Sequence, residues 1–484
     1  MKMIFGSRRA DSAHRSSGLR KLLIAGVVAA AISVAAAPAA PASSATGAQA
    51  PVTEGPELLY GGTGSTCFWH VGAIGVEDYN IAYPDAGAHY WGAIWTHVPG
   101  STLRLKGQFP YARYTSLNAY DRLGAIQDTI SDFQWTPDKG SSNPFRPGVR
   151  RDVAKRNYTV TLSPGQSPVA FTPNRRSNLP ARNTLYTEPA GGDTIRGIAI
   201  RVYIPNKGKN IEGGVSLPKP ELTLADGTVL TGKAACAALG SETAQTLDPS
   251  ALLLSAEQYD ALRYQAGKPD YFPALADGKT NWRVQYNRTY LLNLFRPEAD
   301  PMQGATKLGQ AGFFPNGDNQ YVRNAINRKF GKVYALRGKI GTTARTFTNP
   351  KGKWEATDLR YQSFCMNESP KTTRVMDCVY DEEVPLRAGR KYLVVTSRAV
   401  DKPKNATAKC GVAWIEWSPR GDGGKDTDFG WMQIRNMLPA AGFKNAIQGT
   451  STPGDEKKVL GAYLPDSKYY EDKKAFEKLG CPAK

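Results

Sequence analysis

The chain has 484 residues, with 62 Lys and Arg against 43 Asp and Glu, a formal net charge of +19 and six cysteines. That length accommodates two domains with full cores. The positive charge is scattered: Lys351 and Lys353 stand alone and Arg150-Arg151 is cut short by Asp152. A nucleic-acid binder shows a basic stripe or a recognisable module, so nucleic acid is set aside as a partner in favour of plain solubility or attraction to an anionic envelope polymer.

Residues 1–42 form an expected secretion signal. Arg8, Arg9, Arg15, Arg20 and Lys21 precede an apolar run from Leu22 to about Ala37, and Ala40-Pro41-Ala42 offers a cleavage site. The run is too short and too alanine-rich for a membrane span, so the mature chain is expected to carry no transmembrane segment and to be secreted. Arg8-Arg9 also fits twin-arginine export, but Ala10-Asp11 follows where that signal wants hydrophobic residues, which favours general secretion. Loss of residues 1–42 removes six Lys/Arg and one Asp and lowers the net charge from +19 to +14.

Residues 43–66, rich in Ala, Ser, Gly and Pro, read as a flexible leader. Residues 67–240 then show short β-type runs between Gly, Pro, Asn and Asp clusters: Leu103–Lys106, Tyr158–Leu162 and Ile198–Ile204. Leu222–Leu230 predicts a hairpin turned by Asp226-Gly227. Residues 241–311 read as a connector, with Asp248-Pro249 starting a helix that runs to Arg263. Residues 312–484 return to strands at Val333–Arg337, Tyr392–Thr396 and Val412–Trp417, with a terminal helix around Lys473–Leu479.

The second stretch repeats the first. Pro84, Tyr90, Gly100 and Gly107 recur 231 positions later as Pro315, Tyr321, Gly331 and Gly338. Arg113, Ser116, Asp128, Asp132, Glu188 and Arg201 recur in order as Arg360, Ser363, Asp377, Asp381, Glu416 and Arg435. The expected fold is therefore mainly all-β: two tandem antiparallel β-sandwich, jelly-roll-like domains from an internal duplication, joined by a short helical connector. Six cysteines beyond the signal fit three disulfides. The domain limits favour Cys67–Cys236, Cys365–Cys378 and Cys410–Cys481, and no CxxC spacing suggests a metal.

Tyr114–Asp121 and Ile200–Pro205 in the first copy resemble a β-sandwich domain of unknown function that bacterial exported proteins carry beside a related partner domain. The second copy departs from that pattern, with Cys365-Met366-Asn367 where Asn118-Ala119-Tyr120 would fall. The resemblance implies a fold and transfers no catalytic residue.

The candidate site residues follow from these patterns. Asp128, Asp132 and Glu188, with Arg113 to orient an anionic group, are the acid-base candidates for a carbohydrate-active hydrolase or lyase. Their duplication favours structural pairing instead, because one active site needs one copy. In His89–His97, the residues His89, Trp91, Trp95 and His97 share a parity and hence one strand face. Trp91 and Trp95 with Tyr90 are candidates for stacking a sugar ring, or else core. His89 and His97 are the metal-ligand candidates, and neither a metal nor another cofactor is assigned. Asp422, Asp426 and Asp428 lie in a Gly/Asp loop that lacks EF-hand spacing and reads as a solvated hairpin loop. No GxSxG, HExxH, P-loop or CxxCH motif occurs. Whether the protein is an enzyme stays open. The favoured expectation is non-catalytic binding of an extracellular polysaccharide or anionic envelope polymer; the alternatives are the hydrolase or lyase and a protein-interaction scaffold.

Overall fold

A computed structural model describes residues 67–121, 124–168, 175–188, 194–241, 253–264, 278, 281–295 and 313–481. The expected signal, the leader and the Asp248-Pro249 helix start lie outside them. Ten strands occupy the first half: β1 (Val71–Ile74), β2 (Ala88–Thr96), β3 (Thr102–Gln108), β4 (Ala112–Tyr120), β5 (Ile126–Ser131), β6 (Asn157–Ser163), β7 (Thr184–Tyr186), β8 (Ile195–Pro205), β9 (Lys219–Thr223) and β10 (Val229–Thr231). The remainder holds β11 (Arg283–Val284), β12 (Asn319–Asn327), β13 (Val333–Lys339), β14 (Tyr361–Asn367), β15 (Val375–Tyr380), β16 (Lys391–Ser397), β17 (Ala413–Glu416), β18 (Phe429–Met437) and β19 (Asp466–Tyr470).

Alternation makes these strands. In β3, Leu103 and Leu105 enter the first core, where they meet Val160 and Leu162 of β6, while Lys106 is exposed. Each fully buried aliphatic side chain of this kind contributes roughly 1.5–3 kcal/mol. The first core lies between a sheet ordered β1-β2-β8-β4-β5 and one ordered β10-β9-β3-β6-β7. A second core lies between sheets ordered β11-β12-β18-β14-β15 and β17-β16-β13-β19. The order β2-β8-β4-β5 thus has the same form as β12-β18-β14-β15, and β9-β3-β6-β7 the same form as β19-β13-β16-β17. Registers agree as well. Arg201 on β8 lies opposite Tyr90 and Ser116; Arg435 on β18 lies opposite Tyr321 and Ser363. Pairing is antiparallel except for β6 with β7 and β16 with β17, which run parallel; long crossovers after β6 and β16 permit this.

Strands β4, β14 and β18 are buried along their whole length. Their sheets are covered twice: one face closes its own core, and the other packs against the opposite half through Tyr114, Tyr203, Tyr361 and Met437. Helices are short: α1 (Gly232–Ala238), α2 (Ala256–Arg263), α3 (Arg288–Asn293), α4 (Glu456–Leu460) and α5 (Lys473–Glu477). The described part of the expected connector helix is α2. It begins at Ser255, whose hydroxyl accepts from the Gln258 amide while the Gln258 side chain accepts from the Ser255 amide, a capping box that satisfies two end groups at once. The β9–β10 hairpin turns at Gly227, φ 89°, as the Asp-Gly pair predicts. Three disulfides join Cys67 to Cys236, Cys365 to Cys378 and Cys410 to Cys481; Cys365 and Cys378 stand directly opposite on β14 and β15.

Candidate functional site

The seam between the halves is built largely from the polar residues that recur in the sequence, and its contacts are reciprocal. Arg113 of the first half donates to Asp381 of the second at 2.5 Å and to Glu382. Arg360 of the second donates to both carboxylate oxygens of Asp132 in the first, at 3.2 Å each. The Tyr361 hydroxyl donates to Asp85 at 2.6 Å, and the Tyr114 hydroxyl to Asp318 at 2.5 Å. Such exchange, in which i meets j and j meets i, is the signature of a self-complementary interface.

Two arms complete it. Ala82 and Tyr83, ahead of β2, have φ of 62° and 55°; Phe313 and Phe314, ahead of β12, have φ of 63° and 45°. Left-handed backbone costs about 1–2 kcal/mol at each such residue, so contacts must hold it. Pro84 and Pro315 stiffen the chain beyond. Tyr83 is anchored on the opposite half by its amide, which donates to the Thr373 carbonyl at 2.8 Å, and by its carbonyl, which accepts from Arg435 at 3.4 Å. The Phe314 carbonyl accepts from Arg201 at 2.7 Å.

Under these arms lies a cavity of about 130 Å³. Ile94 and Ala199 come from the outer face of the first sheet, and Tyr83, Phe313 and Phe314 from the arms. Its polar groups are tyrosines, Asn316, Asp121 and two arginines. Arg435 is neutralised by Asp85, to which it donates directly. Arg201, 4% exposed, donates to the Tyr120 hydroxyl at 2.5 Å and to Phe314, lies 5.5 Å from the centre of the Tyr90 ring and 5.7 Å from that of Tyr120, and pairs with no carboxylate among the described residues. Burial pushes the Tyr90 hydroxyl up from its ordinary range, and that of Tyr120 up to about 12 even with Arg201 drawing it down. Both are therefore neutral at pH 7, and neither cancels the Arg201 charge.

The acid candidates are not in a cleft. Asp128 is 3% exposed, accepts from Arg182 at 2.9 and 2.6 Å and from the Thr129 and Tyr186 amides. Asp132 is fully buried; burial pushes its carboxyl up to about 7 while Arg360 and the Thr115 amide pull the other way. Arg113 is wholly engaged by Thr346, Asp381 and Glu382. Glu188 is half-buried at the end of a described segment. Structural pairing holds for Asp132 and for its counterpart Asp381: each is paired by an arginine from the opposite half, because the outer sheet faces bring them together.

Trp91 and Trp95 share a face, as their parity requires, and that face is the first core: they are 5% and 2% exposed, and Trp95 packs 5.6 Å from Phe68. They offer no outward platform for a sugar. Tyr90 points the other way, into the cavity wall, with its hydroxyl 3.1 Å from that of Tyr203. His89 pairs with Asp78 at 3.0 Å, and burial lowers the pKa of His97. Neither joins a ligand cluster; among the described residues the one such group is Asp85, Cys365 and Cys378, whose cysteines form a disulfide. The Gly/Asp loop is solvated only in part: Pro419, Arg420, Gly424, Lys425 and Thr427 are exposed, but two of its aspartates reach inward. Asp422 is fully buried and accepts from the Tyr259 and Tyr264 hydroxyls at 3.1 and 2.5 Å, and Asp426 accepts from Arg263 at 2.8 Å, so the connector helix is tied to it. Sequence reasoning missed Asp85, Tyr83, Phe313 and Phe314. The Pro84/Pro315 match was the available signal, since these residues flank it.

No known family matches the chain, and no curated protein matches it. Among solved structures, an uncharacterised protein from Burkholderia cenocepacia aligns over 81% of this chain and 79% of its own, at 11% identity and a TM-score of 0.41. A protein from Vibrio parahaemolyticus aligns over 80% and 90%, at 9% identity and a TM-score of 0.34. Similarity at that level carries no functional argument.

Proposed function

We propose that this is an exported, non-catalytic binding protein that takes a small, largely apolar ligand in the cavity between its halves. The observation that carries this reading is the cavity itself: an aromatic and aliphatic wall with a few convergent polar groups, the usual composition of a ligand site. Its volume is close to that of an engineered apolar cavity of about 150 Å³ that binds benzene. Asp128 and Asp132, two of the acids that a hydrolase or lyase would use, are instead held by arginines and backbone amides. The polymer expectation keeps the support of the basic charge balance and loses that of Trp91 and Trp95. Export is supported by three disulfides, which suit an oxidising compartment, and among the described residues no helix is long and apolar enough to cross a membrane.

We also read the two halves as copies of one duplicated domain. Matching strand orders, matching registers around Arg201 and Arg435, and reciprocal arginine–carboxylate exchange support this.

The test is calorimetric titration with benzene-sized probes, beginning with benzyl alcohol and benzoate, on the intact protein and on Ala199→Leu. Ala199 lines the cavity, so the larger side chain fills it. Binding of either probe by the intact protein, lost in a variant that melts normally, is the expected result. Absence of binding by both probes, or binding that Ala199→Leu leaves untouched, refutes the reading.

A further inference from the structure

The two halves treat one duplicated arginine differently. Arg435 donates to Asp85, which also accepts from Tyr361 and Ser363. Under the 231-residue offset the position of Asp85 becomes Asn316. Asn316 lies 3.2 Å from the Tyr114 hydroxyl but carries no charge; the acid that hydroxyl meets at 2.5 Å, Asp318, is paired with Arg175 and not with Arg201. Arg201 keeps the corresponding carbonyl, Phe314, and has no acid in place of Asp85. Its Nη1 is buried without any hydrogen-bond partner. The carboxylate on the cavity wall, Asp121, accepts from the Ala125 amide at 2.8 Å and lies 3.5 Å from the Gln127 side chain, and it forms no ion pair with Arg201.

A guanidinium stays protonated in proteins, so one half of the seam buries a cation with partial compensation from a carbonyl, a hydroxyl and two ring faces. Burying a charge without an opposite one is expensive. The asymmetry has a direct remedy, an anion supplied from outside. The planar fork of the guanidinium matches a carboxylate better than a point charge would, and the surrounding wall is apolar.

Building on the cavity reading above, we propose that the ligand is a small apolar carboxylate, its acid group paired with Arg201 and its hydrocarbon body packed against Ile94, Ala199 and the arm aromatics. The chain supplies three of the four acid–base partners at the two equivalent positions, and the ligand supplies the fourth.

Benzoate and benzyl alcohol share a ring and differ in charge, so titrating both separates this inference from the cavity reading. Benzoate is expected to bind at least about tenfold more tightly, the scale of a charge-assisted hydrogen bond of about 1.5 kcal/mol or more. In Arg201→Met, benzoate falls to the level of the alcohol while the alcohol is retained. Because Arg201→Met removes a buried group and can fail to fold, Asn316→Asp provides a second variant: it restores the internal acid that the other half possesses, and benzoate affinity is expected to drop with little change for the alcohol. Equal affinity for the two probes in the intact protein overturns the carboxylate assignment and leaves the cavity reading standing. Failure of both probes removes the two together. Benzoate binding unchanged in Asn316→Asp also overturns the assignment.

Discussion

Arg113 is where the seam is most exposed to perturbation. The guanidinium is fully buried and donates to Thr346 at 2.8 Å, to Asp381 at 2.5 Å and to Glu382. In Arg113→Met the two acids fare differently. Glu382 keeps the amides of Thr346, Phe347 and Thr348. Asp381 keeps one amide, that of Gln362, and no cation. Leaving one member of a buried pair without its partner costs about 3–5 kcal/mol, and Asp381 bears most of that cost. The penalty has a pH signature. Burial already raises the Asp381 pKa although Arg113 opposes it, and removing Arg113 removes that opposition. A carboxyl with a folded pKa above its unfolded value stabilises the fold most below the unfolded value and loses that contribution as pH rises through the folded one. Arg113→Met is therefore expected to cost less at pH 5 than at pH 8, and adding Asp381→Asn to recover much of the loss at pH 8. Urea unfolding of the four proteins of this cycle at both pH values gives the numbers. A cost under about 1 kcal/mol at pH 8, in the range of a surface pair, or a cost independent of pH, refutes the reasoning.

The Asp132 carboxyl, raised to about 7 by burial, binds its proton more tightly folded than unfolded, so its contribution to stability grows as pH falls from 8 toward 5; the Asp132→Asn protein, compared with its parent by urea midpoints across that range, is expected to lack this slope, and an unchanged slope contradicts the assignment. Trp91→Ala with Trp95→Ala removes two core rings, each worth about 3–5 kcal/mol, and thermal melting is expected to show a collapse of the fold; a normal melt would return these rings to the surface. Tyr259→Phe with Tyr264→Phe strips both hydroxyls from buried Asp422 and is expected to loosen the connector, read as faster amide exchange in α2 with the sandwich cores unaltered. Peptide mapping without reduction is expected to recover Cys365 linked to Cys378, and a free thiol at either position contradicts the pairing.

The strands and both cores were legible because their signal is local: alternation in Leu103–Lys106 or Tyr158–Leu162 states which side chains turn inward. The disulfide pairing followed from domain limits alone. The cavity was not legible. Its wall joins β2 and β8 to arms more than a hundred residues apart in the chain, and no periodicity records that meeting. The repeat marks Arg113, Arg201, Arg360 and Arg435 as a set, yet it names no partner for any of them, since sequence carries no sign of which outer faces will be pressed together. His89–His97 shows the limit of parity: it placed Trp91 and Trp95 on one face and could not say that the face was the core. The most telling residue, Asn316, attracts notice only when Asp85 is known to hold Arg435.

The crossed arms bear on how the molecule comes apart. Asn80, Tyr83 and Asp85 are fastened to Val375, Thr373 and Arg435, while Phe314, Pro315 and Asp318 are fastened to Arg201, Tyr120 and Arg175. Each sandwich thus holds a segment whose continuation is a central strand of the other. Melting one half would release the arm that braces its neighbour and strand that neighbour's buried cations, so partial opening forfeits contacts on both sides. Two hydrophobic cores are thereby coupled into one cooperative unit, and a scanning calorimeter would record a single heat-absorption peak from a chain that, by its strand count, contains two.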